Sequence, residues 1–503
     1  MRVCDFVLGV MFFAVGVQAK LVVDRMFSSY MVLQQEMAVP IWGTAAPGGE
    51  VTVSFRDQSV ATQANTDGKW SLKLAALKLG APATLAVSGD GDTLSFEDVL
   101  VGEVWIGSGQ SNMAGRAGGY AKNDPTLAMI ATSGPYPQIR LYSGSWKVAD
   151  AKTIPAFSAL HVSFGHALHD ELKVPVGLIV GAVGGTPSGR WLSQEMAAAS
   201  PALNAQLKAK MGIEADEIAA AHVAAKATYS DVVRKAKADG KKAPRFPGPN
   251  LLGDLYAKHI EYIVPYGIRG VLWDQGESKT QIAGVDQYTT MSALIAGWRG
   301  VWSQGDFPFL HVQKPSGGSS AWNPKNWVNR GARAFNATLP RAHGPAPSAL
   351  KYQLDHIRMG TIKNAPLVQA NDLGTGIHPQ NKSGYGKRAS RVALGAVYGK
   401  DVVILGPTYK SHAIEDSHIR VSFDNVGSGL GFRHAEELRG FEVAGEDGKW
   451  AWASAEIDGD SIIVSSADVP KPVHVQYAFN KDQSHANLFN KDGLPALLFT
   501  SVE

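Results

Sequence analysis

The chain has 503 residues, a formal net charge of +3 and a single cysteine, Cys4. That length asks for two or three units with separate cores. The near-neutral balance, with no Lys/Arg block beyond residues 234–242, removes the electrostatic case for nucleic acid as a partner. One cysteine excludes an intrachain disulfide and a cysteine-based metal centre, and no metal or organic cofactor is expected.

In chain order, residues 1–19 read as an export signal: Arg2, an apolar run over 6–17, and Val17-Gln18-Ala19 with the small-x-small spacing of a signal-peptidase site. The run falls short of the roughly 20 residues that span a bilayer. The expectation is an exported protein, periplasmic or secreted, with no membrane contact after cleavage and with Cys4 lost along with the leader. Residues 20–97 alternate in short β runs such as Val51-Thr52-Val53-Ser54-Phe55, broken by turn signals at Pro47-Gly48-Gly49 and Asp67-Gly68-Lys69, which predicts a β-sandwich.

From 98 to about 400 apolar strands alternate with helical periodicity, the pattern of an α/β domain with a parallel sheet and helices on both faces. Candidate strands are 99–106, 177–180, 268–273, 309–313 and 367–371. Helical stripes fall at Leu160, Phe164, Leu168 and Leu172, and at Tyr288, Met291, Ile295 and Trp298. An Ala/Lys-rich stretch at about 196–245 reads as a helical insertion. Alternation returns over 401–503, as in Ile419-Arg420-Val421-Ser422-Phe423, and predicts a second β-sandwich or jelly-roll-like region.

Parallel α/β sheets bind ligands at the carboxyl ends of their strands, and the chemistry-bearing residues of this chain fall there. The first strand delivers Ser111 after Gly107 and Gly109, whose φ freedom suits a sharp strand-to-helix turn. A nucleophile elbow would place glycine at 113, where Met113 stands. The second strand runs into Gly184-Gly185-Thr186, the third into Asp274-Gln275-Gly276-Glu277-Ser278, and the fifth through Asp372 to His378. A hydroxyl, an imidazole, carboxylates and a glycine turn with free N–H groups are the parts that acyl transfer needs.

These motifs, Q-S-N-M at 110–113, G-G-T-P at 184–187, W-D-Q-G-E-S at 273–278 and I-H-P-Q-N-K at 377–382, resemble in order and separation the sialate O-acetylesterase family of SGNH hydrolases. The likeness extends to M-V-L-Q at 31–34, G-D-F-P-F at 305–309 and V-G-S-G-L at 426–430. It implies a flavodoxin-like core and an esterase that removes O-acetyl groups from carbohydrate through an acetyl-enzyme on Ser111. It further implies His378 as general base and oxyanion donors at the Ser111 and Gly185 N–H groups and the Gln275 side chain. Many relatives read D-I-H-P, with an acid two residues before the histidine, or carry an acid three residues before it; here those positions are Gly376 and Thr375. Asp372 is then the first candidate for the orienting acid, Asp274 the alternate and Glu277 the third.

Arg190 and Trp191, after the glycine turn, are candidates to contact a sugar, and Trp322 and Trp327 to flank the cleft. His161, His166 and His169 lack the spacing of a zinc motif. The expected partner is an acetylated carbohydrate; the sequence does not fix the natural glycan or the oligomeric state. Two other readings remain: a non-catalytic glycan-binding protein on a degenerate hydrolase core, and an SGNH lipase or thioesterase.

Overall fold

A computed structural model describes residues 20–243, 252–313, 335–340, 348–374, 376–480 and 483–502. The central element is an 18-residue strand, β1 (Asp92–Gly109). Its outer half alternates between exposed and half-buried positions, whereas its inner half, from Val99 to Gly109, is buried throughout. This is the mark of a strand that leaves a one-sided antiparallel sheet and enters one covered on both faces. The outer half pairs antiparallel with Ala83–Gly89, and the strand Val32–Gln34 lies parallel to the start of the inner half at Leu100, Val101 and Gly102. The change of texture near residue 97 thus falls inside one continuous strand.

Beyond β1 the chain forms α1 (Ser111–Ala114), β2 (Tyr136–Tyr142), β3 (Trp146–Ala149), α2 (Ala159–Leu172) and β4 (Val176–Ala182). It continues through β5 (Gly270–Asp274), α6 (Gln287–Trp302), β6 (Phe309–Val312), α7 (Ser348–Met359), β7 (Leu367–Val368) and α8 (Lys382–Ala396). Between β4 and β5, ahead of the short helix Asp254–His259, come α3 (Gln194–Ala198), α4 (Pro201–Met211) and α5 (Ile218–Ala238). They occupy the insertion expected there; residues 244–251 lie outside the described set.

The strand order is β3-β2-β4-β1-β5-β6-β7. Neighbours are parallel except β3, which returns antiparallel on β2. The fold is therefore α/β with a mixed sheet, because the N-terminal strands join it through β1 and because the β2–β3 hairpin, which the sequence pattern did not reveal, extends its edge. The two helical stripes pack as expected. Leu160, Phe164 and Leu168 of α2 meet Tyr385, Ala389 and Val392 of α8 in one core. Met291, Ile295 and Trp298 of α6 join Trp191, Trp273 and Trp302 in the other. Helices α2 and α8 approach so closely at Gly386 that a Cβ there would lie 2.5 Å from Phe164 N, a crossing that only glycine permits.

The N-terminal region holds a three-stranded sheet, Val22–Val23, Val39–Thr44 and Lys69–Leu74. Its strand 69–74 alternates strictly, with Trp70, Leu72 and Leu74 inside and Lys69, Ser71 and Lys73 outside. The C-terminal region has two four-stranded antiparallel sheets, one containing His418–Asp424 and Ser461–Ser465 and the other Phe441–Ala444 and His474–Tyr477. Ile419, Val421, Phe441, Val475 and Phe499 fill the space between them, with Leu350 of α7 packed alongside. No helix among the described residues is long and apolar enough to cross a membrane.

Candidate active site

The serine turn is built by backbone contacts between β1 and β5. Gly109 has φ +120°, and a Cβ there would lie 2.2 Å from Asp274 O. Glycine is required at the strand end on both counts. Gln110 N then donates to Asp274 O (2.8 Å), and Gly115 N donates to Ser111 O (2.9 Å), closing α1 over the sheet. Met113, standing where an elbow would have glycine, is fully buried, with its sulfur 3.5 Å from Ser158 Oγ. Ser111 itself remains half-buried.

The turn after β4 lies beside it. Val183 N donates to Gly109 O (3.1 Å), and a Cβ on Gly184 would stand 3.7 Å from Ser111 Cβ. Gly185 has φ +71° and is exposed, with open space where a side chain would be. The amides of this turn therefore border the serine.

Gln275 is used differently from what the resemblance implied. Its side chain is buried, and Nε2 donates to Lys279 O (3.0 Å) and Thr186 O (3.4 Å) while Oε1 accepts from Gln287 Nε2 (2.9 Å). The amide ties two loops together, and its donors are already engaged. The side-chain amide beside the Ser111 hydroxyl is that of Gln110, with Nε2 3.4 Å from Ser111 Oγ and Oε1 accepting from Ser278 N (3.2 Å). Gln110 was part of the quoted motif, but one sequence does not tell which of two glutamines faces the hydroxyl.

The segment after β7 brings His378 to the same end of the sheet. Asn112 Nδ2 donates to Ile377 O (3.1 Å), so the residue after Ser111 is hydrogen-bonded to the residue before His378. Gln380 Nε2 donates to His378 O (3.2 Å), and Pro379 packs on Gly374. The imidazole is exposed and makes no hydrogen bond to a described residue. Asp372 is not its partner: both carboxylate oxygens accept from Arg388, at 3.1 and 2.9 Å, in a buried ion pair. This bidentate geometry uses the carboxylate to anchor α8. Thr375 lies outside the described residues.

Asp274 and Glu277 belong to a buried charged group under the serine turn. Burial and the nearby Glu277 carboxylate raise the Asp274 carboxyl well above the usual range, partly offset by Lys382. Asp274 is fully buried and its Oδ2 has no hydrogen-bond partner among the described residues. Burial lowers the Lys382 ammonium, which Asp274, Glu277 and Asp124 act to hold charged.

Two other candidates serve the scaffold. Trp191 is fully buried, edge-on to Trp273, with Nε1 donating to Thr186 Oγ1 (3.2 Å); an indole committed to the core has no face left for a sugar. Arg190 is ion-paired with Asp254 through two nitrogens. Trp322 and Trp327 lie outside the described residues. Of the three histidines on α2, His161 bonds to Trp105 O (3.1 Å), His166 pairs with Asp170 (3.0 Å) and His169 bonds to Val174 O (2.7 Å).

Comparison with known proteins places the chain in a family. The family described as carbohydrate esterase, sialic acid-specific acetylesterase, matches residues 101–360. Human sialate O-acetylesterase is 29% identical over 336 residues, covering 58% of this chain and 57% of its own. The mouse protein is 27% identical over 439 residues, covering 76% and 74%. The chain thus spans little more than half the length of its human relative. A crystal structure of a carbohydrate acetylesterase from Xanthomonas citri superposes with a TM-score of 0.74 at 26% identity, covering 95% of this chain and 99% of that one. The chain belongs to the sialic acid-specific acetylesterase family of carbohydrate esterases.

Proposed function

We propose that this protein is an exported carbohydrate O-acetylesterase that works through an acetyl-enzyme on Ser111, on a flavodoxin-like core. The observation that carries the reading is the Asn112–Ile377 hydrogen bond, which joins the chain positions flanking Ser111 and His378 across 265 residues of sequence. The neighbouring order β4-β1-β5-β6-β7 supports the core assignment.

In this mechanism His378 takes the Ser111 Oγ proton as the oxygen attacks the acetyl carbonyl. The oxyanion of the tetrahedral intermediate is met by the N–H groups of Ser111 and Gly185, with the Gln110 amide beside them. Collapse breaks the bond to the sugar oxygen, which leaves with the proton from His378. Water, deprotonated by the same imidazole, then attacks the acetyl-enzyme and releases acetate and free Ser111. Ser111→Ala is expected to lower kcat/KM on 4-nitrophenyl acetate by about 10⁴-fold or more with an unchanged melting curve. Wild-type turnover in that variant would remove the serine mechanism. Acetate release from a panel of O-acetylated glycans, sialic acids and plant polysaccharides included, identifies the substrate; binding without release would favour the glycan-binding reading, and faster turnover of octanoate esters the lipase reading.

A further inference from the structure

The mechanism leaves one feature of the site unused: a lysine buried beneath the nucleophile. Lys382, the first residue of α8, has no exposed surface, and its Nζ donates to Asn112 Oδ1 at 2.6 Å. The same Asn112 side chain, also fully buried, donates from Nδ2 to Ile377 O. Two hydrogen bonds in series therefore run from Lys382 through the residue after Ser111 to the residue before His378. We infer that Lys382 is a positioning residue, which acts through Asn112 to hold the His378 segment against the serine turn. This rests on the proposed Ser111–His378 chemistry and adds to it the device that sets the spacing of the pair.

Three observations support the assignment. First, Ile377, His378 and Gln380 are exposed, and Asn112 is a fully buried side chain that bonds to this stretch, whereas Gln380 reaches only the His378 carbonyl and the exposed Asn123 (3.3 Å) among the described residues. Second, a cation on Oδ1 polarises the amide and strengthens its Nδ2–H as a donor, so the two bonds reinforce each other. Third, a buried ammonium is a poor stabilising device, since an apolar side chain of the same volume fills such a space without loss.

Its surroundings are arranged to keep the charge. Asp274 and Glu277 face it from the end of β5, Asp124 from the start of helix Pro125–Ser133, and the Tyr120 and Tyr385 rings lie 4.7 and 5.3 Å away. Asp124 also accepts from Ser383 N (2.8 Å) and Oγ (2.7 Å), fixing the first turn of α8 and with it the lysine.

The test is steady-state kinetics of the full chain on 4-nitrophenyl acetate. Asn112→Asp keeps an acceptor for Lys382 but replaces the donor to Ile377 O by an oxygen; kcat is expected to fall about 10- to 100-fold with KM changed less than about 3-fold. Lys382→Met is expected to do the same, and the double variant to be no worse than the poorer single one, since both cut one chain of contacts. Wild-type kcat in Asn112→Asp, or effects that multiply in the double variant, would overturn the inference. If Lys382→Met does not fold, the Asn112→Asp result decides alone. Ser111→Ala separates the two levels: turnover in that variant sinks the serine mechanism, whereas an inactive Ser111→Ala beside a fully active Asn112→Asp sinks only the tether.

Discussion

The two ends of the central strands treat a buried carboxylate in opposite ways. At the amino end of the parallel strands, Glu103 has no exposed surface and accepts from five donors. These are Gln34 Nε2 (3.3 Å), Gln35 Nε2 (2.5 Å), Arg269 Nε (2.6 Å) and Nη2 (3.0 Å), and Tyr398 OH (2.9 Å). At the carboxyl end, Asp274 is as deeply buried, yet one of its oxygens has no partner among the described residues and a second carboxylate stands close by. A satisfied buried charge belongs to architecture. An unsatisfied one held beside the Ser111 turn costs stability, and such groups gather where binding or catalysis is organised.

The largest effect should come from the amino end. Glu103→Ala removes the buried acceptor shared by Gln34, Gln35, Arg269 and Tyr398 and is expected to destabilise the fold by about 3–5 kcal/mol in urea unfolding. A loss under about 1 kcal/mol would erase the contrast between the ends.

Between them lie two wholly buried imidazoles, His161 and His311, each pushed down to about 4 by burial. The unfolded chain binds their protons near pH 6.5, the folded chain only near about 4. Stability is therefore complete above about pH 6.5 and declines as pH falls toward about 4, by at most about 3 kcal/mol for each ring. Urea midpoints that do not move between about pH 7 and about pH 4.5 would contradict this.

Asp372→Asn probes the ion pair with Arg388. We expect a loss of about 1–3 kcal/mol in stability and less than about a 10-fold fall in kcat, where an orienting acid would cost about 10⁴-fold. A fall of that second size would restore Asp372 to the histidine.

The smallest effect, and the one of opposite sign, belongs to Asp274. Its raised pKa means that the folded chain takes up a proton more readily than the unfolded one, so ionisation weakens the fold as pH rises above the ordinary carboxylate range. Asp274→Asn should be neutral or stabilising by up to about 1 kcal/mol at neutral pH. A loss in urea unfolding as large as that of Glu103→Ala would show that the two ends are alike.

Much of the architecture is legible in the sequence because periodicity reports burial. The stripes of α2 and α6, the five parallel strands and the alternating runs at both termini all carry it. The β2–β3 hairpin does not: Tyr136-Pro137-Gln138-Ile139-Arg140-Leu141-Tyr142 begins exposed and places a buried arginine among its apolar residues. At the site, Ser111, the glycine turn and the approach of the His378 segment follow from their places at strand ends. Hydrogen-bond partners do not follow in the same way. Whether Asp372 faces His378 or Arg388, and whether Gln110 or Gln275 faces the serine, depends on side-chain directions set by distant packing. Trp191 shows the same limit, since an aromatic next to a glycine turn has identical local sequence whether it lines a cleft or fills a core.

The unbroken course of β1 has a practical consequence. One polypeptide segment supplies both an inner strand of the N-terminal sheet system and the rail that ends at Ser111, so the two cannot be exchanged as cassettes. A chain begun at residue 98 would strip Leu100–Gly102 of the neighbour at 32–34 and remove Gln34 and Gln35 from Glu103. Domain shuffling in proteins of this build would have to keep the strands at 32–34 and 83–89 with the sheet that carries Ser111.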